Sequence, residues 1–229
     1  MLLSIIIPIL NDYSDLLKSA NSISRINSNI ELLIVDGSKK NNLEYIKENI
    51  RVNFKYIHKK NSSVYEAMNF GIKESNGEYL YFMGAGDILK KVPKISPNDE
   101  ILCCRVKFVY KRKRIRQIKD LSLIKYFNIL HHQSLIYKKK LLLKYPYDEK
   151  YKSLADYNLN IILLKNFHKV RFLENFLISE LKPHGLSSNY FLSITEGVSI
   201  LYKNKFFRGI FIYLIITTLS TIKYKLINL

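Results

Sequence analysis

The sequence predicts an α/β fold: a mostly parallel, Rossmann-like sheet flanked by helices, with a C-terminal helical extension. Three observations carry that expectation. Short apolar runs recur at Leu2–Ile7, Glu31–Val35, Val52–Ile57 and Tyr79–Met83. Segments with helical apolar stripes fall between them, and the runs end in turn-forming or acidic residues. Strands alternating with helices of this size build parallel sheets.

Taken in order, Leu2–Ile7 is unbroken apolar and stops at Pro8, as a strand buried on both faces would. Asp12 or Ser14 can cap a helix carrying Leu16, Leu17, Ala20 and Ile23 on one side. Glu31–Val35 ends at Asp36-Gly37-Ser38, and a polar segment of helical character follows around Leu43–Ile50. Val52–Ile57 alternates like a third strand. Ser63–Lys73 puts Val64, Ala67, Met68, Gly71 and Ile72 on one helical stripe, and Asn76-Gly77 stops it before Tyr79–Met83. Further on, Glu100–Tyr110 and His132–Tyr137 read as strands. Ala155–Asn166 reads as a helix with Leu159, Ile162 and Leu163 inward. Ligands of such sheets bind beyond the carboxyl ends of the strands, so Asn11, Asp12, Asp36 and Asp87 are expected to converge on one crevice.

Bulk composition narrows the class. Of 229 residues, 48% are hydrophobic and 24% charged, which argues against a largely disordered chain. The net charge of +18 favours polyanionic partners: nucleic acid, anionic headgroups or phosphorylated substrates. Eight basic residues and no acidic one lie between Arg105 and Lys119. Cys103 and Cys104 are adjacent, without metal-ligand spacing, and read as buried strand thiols of a reducing compartment. The N-terminal apolar run has neither a basic leader nor a small-residue cleavage site, so it reads as a strand of a cytoplasmic protein. Gly209–Ile222 carries no charge but reaches only ~21 Å as a helix, short of a bilayer. With Lys203, Lys205 and Arg208 before it and Lys223 and Lys225 after it, it suits an interfacial helix on an anionic membrane.

Four blocks, SIIIPILND, LLIVDGS, VYEAMNFGIKESNGEYLYFMGAGD and, more loosely, HHQSLIYKKKLL with KYKSLADYNL, resemble the successive motifs of family 2 glycosyltransferases of the GT-A fold. The resemblance implies that residues 1–95 form the nucleotide-sugar-binding half of a GT-A domain. Residues 96–190 form the acceptor-binding half with the catalytic base, and 191–229 a helical, membrane-associating segment. It gives Asp36 a nucleoside contact, with a helix cap or Asx turn as the lesser reading because Gly37-Ser38 follows. Pro8 and Asn11 shape the base pocket. Glu66 and Asn69 stand in a YDAMN-like helix near the sugar, although Ser63-x-x-Glu66 is also a capping box. Asp87 is the carboxylate left of the metal motif, so Mn²⁺ or Mg²⁺ is expected there; Gly84 and Gly86 stand where relatives carry further carboxylates. His132 and Gln133 belong to the site wall, and Asp156 is the general base. His184-Gly185 and Ser187-Ser188 resemble a loop that closes over the donor phosphates.

The expected activity is an inverting transfer of a hexose or N-acetylhexosamine from a nucleotide-sugar, UDP foremost. The acceptor is a hydroxyl of a saccharide or polyprenyl-diphosphate-linked glycan of bacterial surface polysaccharide such as O antigen. The enzyme would sit peripherally on the inner face of the cell membrane. Two alternatives stand beside it: a degenerate relative that binds nucleotide-sugar without transfer, and a basic nucleic-acid-binding protein. Nucleic acid is not the expected partner, because no recognised nucleic-acid module is present and the basic run has few stacking aromatics.

Overall fold

The computed structural model describes residues 2–26, 29–108, 117–182 and 190–227. The strands are β1 Leu3–Ile9, β2 Ile30–Asp36, β3 Phe54–His58, β4 Tyr79–Phe82, β5 Ile88–Leu89, β6 Ile101–Phe108, β7 Leu135–Lys138 and β8 Val170–Leu181. The helices are α1 Tyr13–Ile23, α2 Leu43–Asn49, α3 Val64–Glu74, α4 Lys139–Lys144, α5 Ala155–Lys165, α6 Tyr190–Lys203 and α7 Phe207–Ile227. All eight strands join one sheet in the order β3-β2-β1-β4-β7-β6-β8-β5. Pairing is parallel among β1–β4 and between β6 and β8, and antiparallel where β7 meets β4 and β6 and where β5 meets β8.

Both faces of the sheet are covered, which is why its central strands are apolar without alternation. On one face Ile6, Leu33, Phe82 and Tyr137 pack with Met68 and Ile72 of α3 and Leu159 and Leu163 of α5. On the other, Ile5, Ile7, Ile34 and Tyr81 pack with Leu16, Ala20 and Ile23 of α1 and Ile46 of α2. The two expected halves thus share one sheet and its two cores.

Several boundaries differ from the sequence expectation. The first strand does not stop at Pro8 but runs through it to Ile9. Ile6 O accepts Met83 N–H and Ile9 O accepts Gly37 N–H. By alternation Pro8 therefore faces the β4 side, beyond the last β1–β4 pair at Ile6–Phe82, where no ladder donor is missed. The third strand begins at Phe54 rather than Val52. His132 and Gln133 lie on a 3₁₀ turn, and the strand begins only at Leu135. On α5 the buried neighbour of Leu159 and Leu163 is Ile161, while Ile162 is half-exposed. The long strand β8 was not expected. The adjacent cysteines are free and buried on β6, and burial pushes the Cys104 thiol up to about 12.

Candidate active site

The carboxyl ends of β1 and β2 form the first wall. Asp36, the last residue of β2, is fully buried. Its Oδ1 accepts Ser38 N–H at 2.8 Å, an Asx turn, and its Oδ2 accepts the hydroxyls of Tyr56 at 2.7 Å and Tyr13 at 3.1 Å. Asn42 in turn donates to the Tyr13 hydroxyl at 2.6 Å. Three of its four lone-pair positions are thus taken by protein donors, two of them tyrosines that sequence reasoning missed. Asn11, exposed at φ 62°, sits in the left-handed region that Asn tolerates and donates its N–H to Ser38 Oγ at 2.8 Å. Pro8 lies in β1 opposite Val35.

The turn after β4 forms the second wall. Asp87 is 2% exposed. Its Oδ2 accepts Gly84 N–H at 2.8 Å and the Gln133 amide, and its Oδ1 accepts Lys182 N–H at 2.9 Å. Burial pushes its pKa up to about 6, against the pull of these donors. The glycines of this turn have a steric reason. Gly86 stands at φ +94°, and a Cβ there would lie 2.7 Å from Lys182 Cδ; a Cβ on Gly84 would crowd Gln133 Nε2 at 3.1 Å. The Lys182 ammonium pairs with Asp15, whose backbone carbonyl accepts Gly86 N–H. Lys182 follows the strand that the sequence reading did not foresee.

The segment 128–133 joins this turn to the third wall. Gln133 binds Asp87, as described, and Asn128 Nδ2 donates to Asp156 Oδ2 at 2.9 Å. Between them the rings of His131 and His132 stack with centroids 5.8 Å apart, their Nδ1 atoms buried without a hydrogen-bond partner among the described residues. Burial holds both imidazoles down to about 4, so they are neutral at pH 7. Asp156, in the first turn of α5, is 7% exposed, and burial raises its pKa. Its Oδ1 faces the Tyr65 hydroxyl at 3.4 Å. Sequence reasoning named Asp156 but not Asn128 or Tyr65, although Tyr65 lies inside the VYEAMN block.

Two residues expected near the sugar make bonds within the protein. Glu66 completes the capping box of α3, accepting Ser63 N–H at 2.6 Å. Asn69 is buried and clamps residues 147–149: its amide donates to Tyr147 O at 2.8 Å and Glu149 Oε1 at 2.9 Å, and its oxygen accepts Tyr147 N–H. The run Lys111–Arg116 and the segment His184–Ser188 lie outside the described residues.

Among the described residues no group of three or more His, Cys, Asp or Glu forms a metal cage. A carboxylate has about four lone-pair positions. Three on Asp87 are taken by N–H donors, which leaves one on Oδ1. That fits a hard cation shared with a ligand's phosphates, since one or two carboxylates suffice when phosphates and water complete the shell. It does not fit a cation held by protein alone.

Comparison with known proteins bears on the family and the fold. The family model "Glycosyl transferase family 2" matches residues 4–147. An uncharacterised glycosyltransferase of Rickettsia felis is 34% identical over 92 residues, covering 38% of this chain and 15% of that protein. One of Rickettsia typhi is 27% identical over 185 residues, covering 69% of this chain and 57% of its own. The chain therefore spans only part of the length of its curated relatives. Among solved structures, S. aureus TarS 1–349 in complex with UDP superposes with a TM-score of 0.67 at 17% identity, covering 93% of this chain and 71% of that one. The mannosyltransferase PcManGT of Pyrobaculum calidifontis, in complex with GDP-Man and Mn²⁺, gives 0.61 at 12% identity, covering 88% and 63%. The architecture is that of these GT-A neighbours, and the chain belongs to glycosyl transferase family 2.

Proposed function

We propose that this protein is an inverting glycosyltransferase. It moves a hexose or N-acetylhexosamine from a nucleotide-sugar, UDP-linked, to a hydroxyl of a lipid-linked or oligosaccharide acceptor in bacterial surface-polysaccharide assembly. Family membership supports the reaction class, and the TarS complexes with UDP and UDP-GlcNAc support the donor. The observation that carries the reading is the pair Asp87 and Asp156, two buried carboxylates joined through the single segment 128–133.

In this reading the nucleoside lies against Tyr13, Tyr56 and Asn11 at the ends of β1 and β2, and the diphosphate lies at the Asp87 turn beside Lys182. When bound with the donor, Mn²⁺ or Mg²⁺ on Asp87 supplies charge neutralisation for the leaving diphosphate. Asp156 takes the proton of the acceptor hydroxyl as that oxygen attacks the anomeric carbon, and the nucleoside diphosphate leaves from the opposite face, so configuration inverts. Burial raises the affinity of Asp156 for that proton, which brings the base closer to working pH. Asn128 and Tyr65 fix the direction of its oxygens.

The C-terminal hairpin supports a peripheral place on the inner face of the cell membrane. No described helix is long and apolar enough to cross a bilayer. Yet α7 exposes Phe207, Phe211, Ile215 and Leu219 beside Lys203, Lys205 and Arg208, a combination suited to an anionic interface.

Calorimetric titration with UDP, GDP and dTDP, with and without Mn²⁺, tests the reading. UDP should bind, and more tightly with Mn²⁺. No binding by any of the three would sink it.

A further inference from the structure

Three consecutive backbone N–H groups lead into α5, the helix that carries Asp156, and none is satisfied by its own neighbourhood. Leu154, the N-cap residue, has no side-chain oxygen to offer. The acceptor comes instead from α6. Glu196, 8% exposed, takes Lys152 N–H on Oε1 at 2.6 Å, and Ser153 and Leu154 N–H on Oε2 at 3.0 and 2.9 Å. Ser193, one turn earlier on α6, meets Ser153 Oγ at 2.9 Å. From the opposite side the Tyr65 hydroxyl donates to Ser153 O at 2.9 Å while facing Asp156. The turn 152–154 is therefore gripped between α3 and α6, two residues before the carboxylate.

We propose that Glu196 is a positioning residue for the transfer reaction: it caps α5 from the C-terminal hairpin and so fixes where Asp156 presents its oxygens. This rests on Asp156 as the base. The three bonds are charge-assisted, one buried and two half-buried, and such bonds are among the stronger hydrogen bonds. A base displaced by about 1 Å can lose on the order of 10²-fold in rate while the substrates still bind. The hairpin that exposes the apolar face of α7 is thereby in direct contact with the catalytic turn, through α6. Glu196 itself touches no reacting atom.

The test uses the whole chain with Glu196→Ala and Glu196→Gln, measuring UDP affinity by calorimetry and steady-state transfer from UDP-sugar. Glu196→Ala should lower kcat about 10²-fold, with donor KM and UDP affinity within twofold of wild type. Glu196→Gln keeps one carbonyl acceptor and should recover a tenfold or larger part of that loss. Glu196→Ala with kcat within threefold of wild type overturns the proposal, as does a kcat of Glu196→Gln no better than that of Glu196→Ala. Should the alanine variant fail to fold, wild-type kcat in the folded glutamine variant supports the capping role, and loss of UDP affinity there overturns it. Failure of the glycosyltransferase reading looks different: the wild-type chain then binds no nucleotide and transfers nothing.

Discussion

Asp87 and Asp156 are both buried acids at the carboxyl end of one sheet, but the protein holds them in opposite ways. Asp87 receives three N–H donors from three parts of the chain: Gly84 in its own turn, Gln133 before β7, and Lys182 after β8. Asp156 receives Asn128 Nδ2–H at 2.9 Å and the backbone N–H of Tyr157, and faces the Tyr65 hydroxyl at 3.4 Å, amid the rings of Tyr65, Tyr137 and Tyr147. A carboxylate held by three N–H donors, with one lone pair left, is fixed in direction and suits holding a ligand. One held chiefly by a side-chain amide in an aromatic surround, its proton affinity raised by burial, suits moving a proton. The difference supports the proposed division, binding at the first and chemistry at the second.

Exchanging Asp156 should break the comparison most severely. In Asp156→Asn the amide oxygen still accepts from Asn128, and the amide N–H₂ faces the Tyr65 oxygen, which already donates to Ser153. The fold is retained, UDP affinity stays within twofold, and transfer falls about 10²- to 10⁴-fold. Stability should move the other way. Burial raises the Asp156 pKa, so the folded chain holds that proton more tightly than the unfolded chain does. Ionising the group therefore costs stability as pH rises from the unfolded pKa through the folded one, and the cost persists above it. Asparagine removes the cost. Thermal unfolding should show equal Tm for variant and wild type in acid, below both pKa values. At pH 8 the variant should have the higher Tm. Near-normal transfer would remove Asp156 from the mechanism.

Asp87→Ala is the next largest effect and acts on the other side of the comparison. It takes the one free carboxylate lone pair from the diphosphate end and releases Gln133 and the N–H groups of Gly84 and Lys182. UDP affinity in Mn²⁺ should drop tenfold or more, and the enhancement by Mn²⁺ should vanish. An unchanged Mn²⁺ titration would take the cation away from Asp87.

What the sequence could and could not disclose follows the same division. Strands β1, β2 and β4 and helix α3 were legible because each is buried along a whole face, so period and apolarity announce them. The carboxylates at their ends were legible because a strand end points at the crevice. The long strand β8 was not, since it places Arg171, Glu174 and Glu180 among half-exposed apolar residues and shows no clean alternation. With it went Lys182, whose contacts to Asp87 and Asp15 span 95 and 167 residues. Asn128 and Glu196 escaped for the same reason: their role lies in what they touch across the fold. Asp36 and Asn69 were named, but not the partners that the fold gives them. Their chemistry suits a ligand as well as a backbone, and only the fold reveals that both side chains are already engaged.

Glu66 gives the smallest effect and the sharpest separation of motif from structure. Its place in the YDAMN-like helix points toward the donor, while its carboxylate accepts Ser63 N–H and Ser63 Oγ accepts Glu66 N–H. The Ser63 backbone bond holds its pKa below the usual range, so the cap's contribution is present above the unfolded pKa and lost as pH falls through the folded one. A capping box works with Gln as well as Glu, so Glu66→Gln should leave Tm within about 1 °C, while Glu66→Ala costs about 0.5–1 kcal/mol. Both variants should bind UDP as the wild type does. If Glu66→Gln instead loses UDP affinity at unchanged Tm, the carboxylate serves the donor, and the group of ligand-holding acids must be widened beyond Asp87 to the N-terminus of α3.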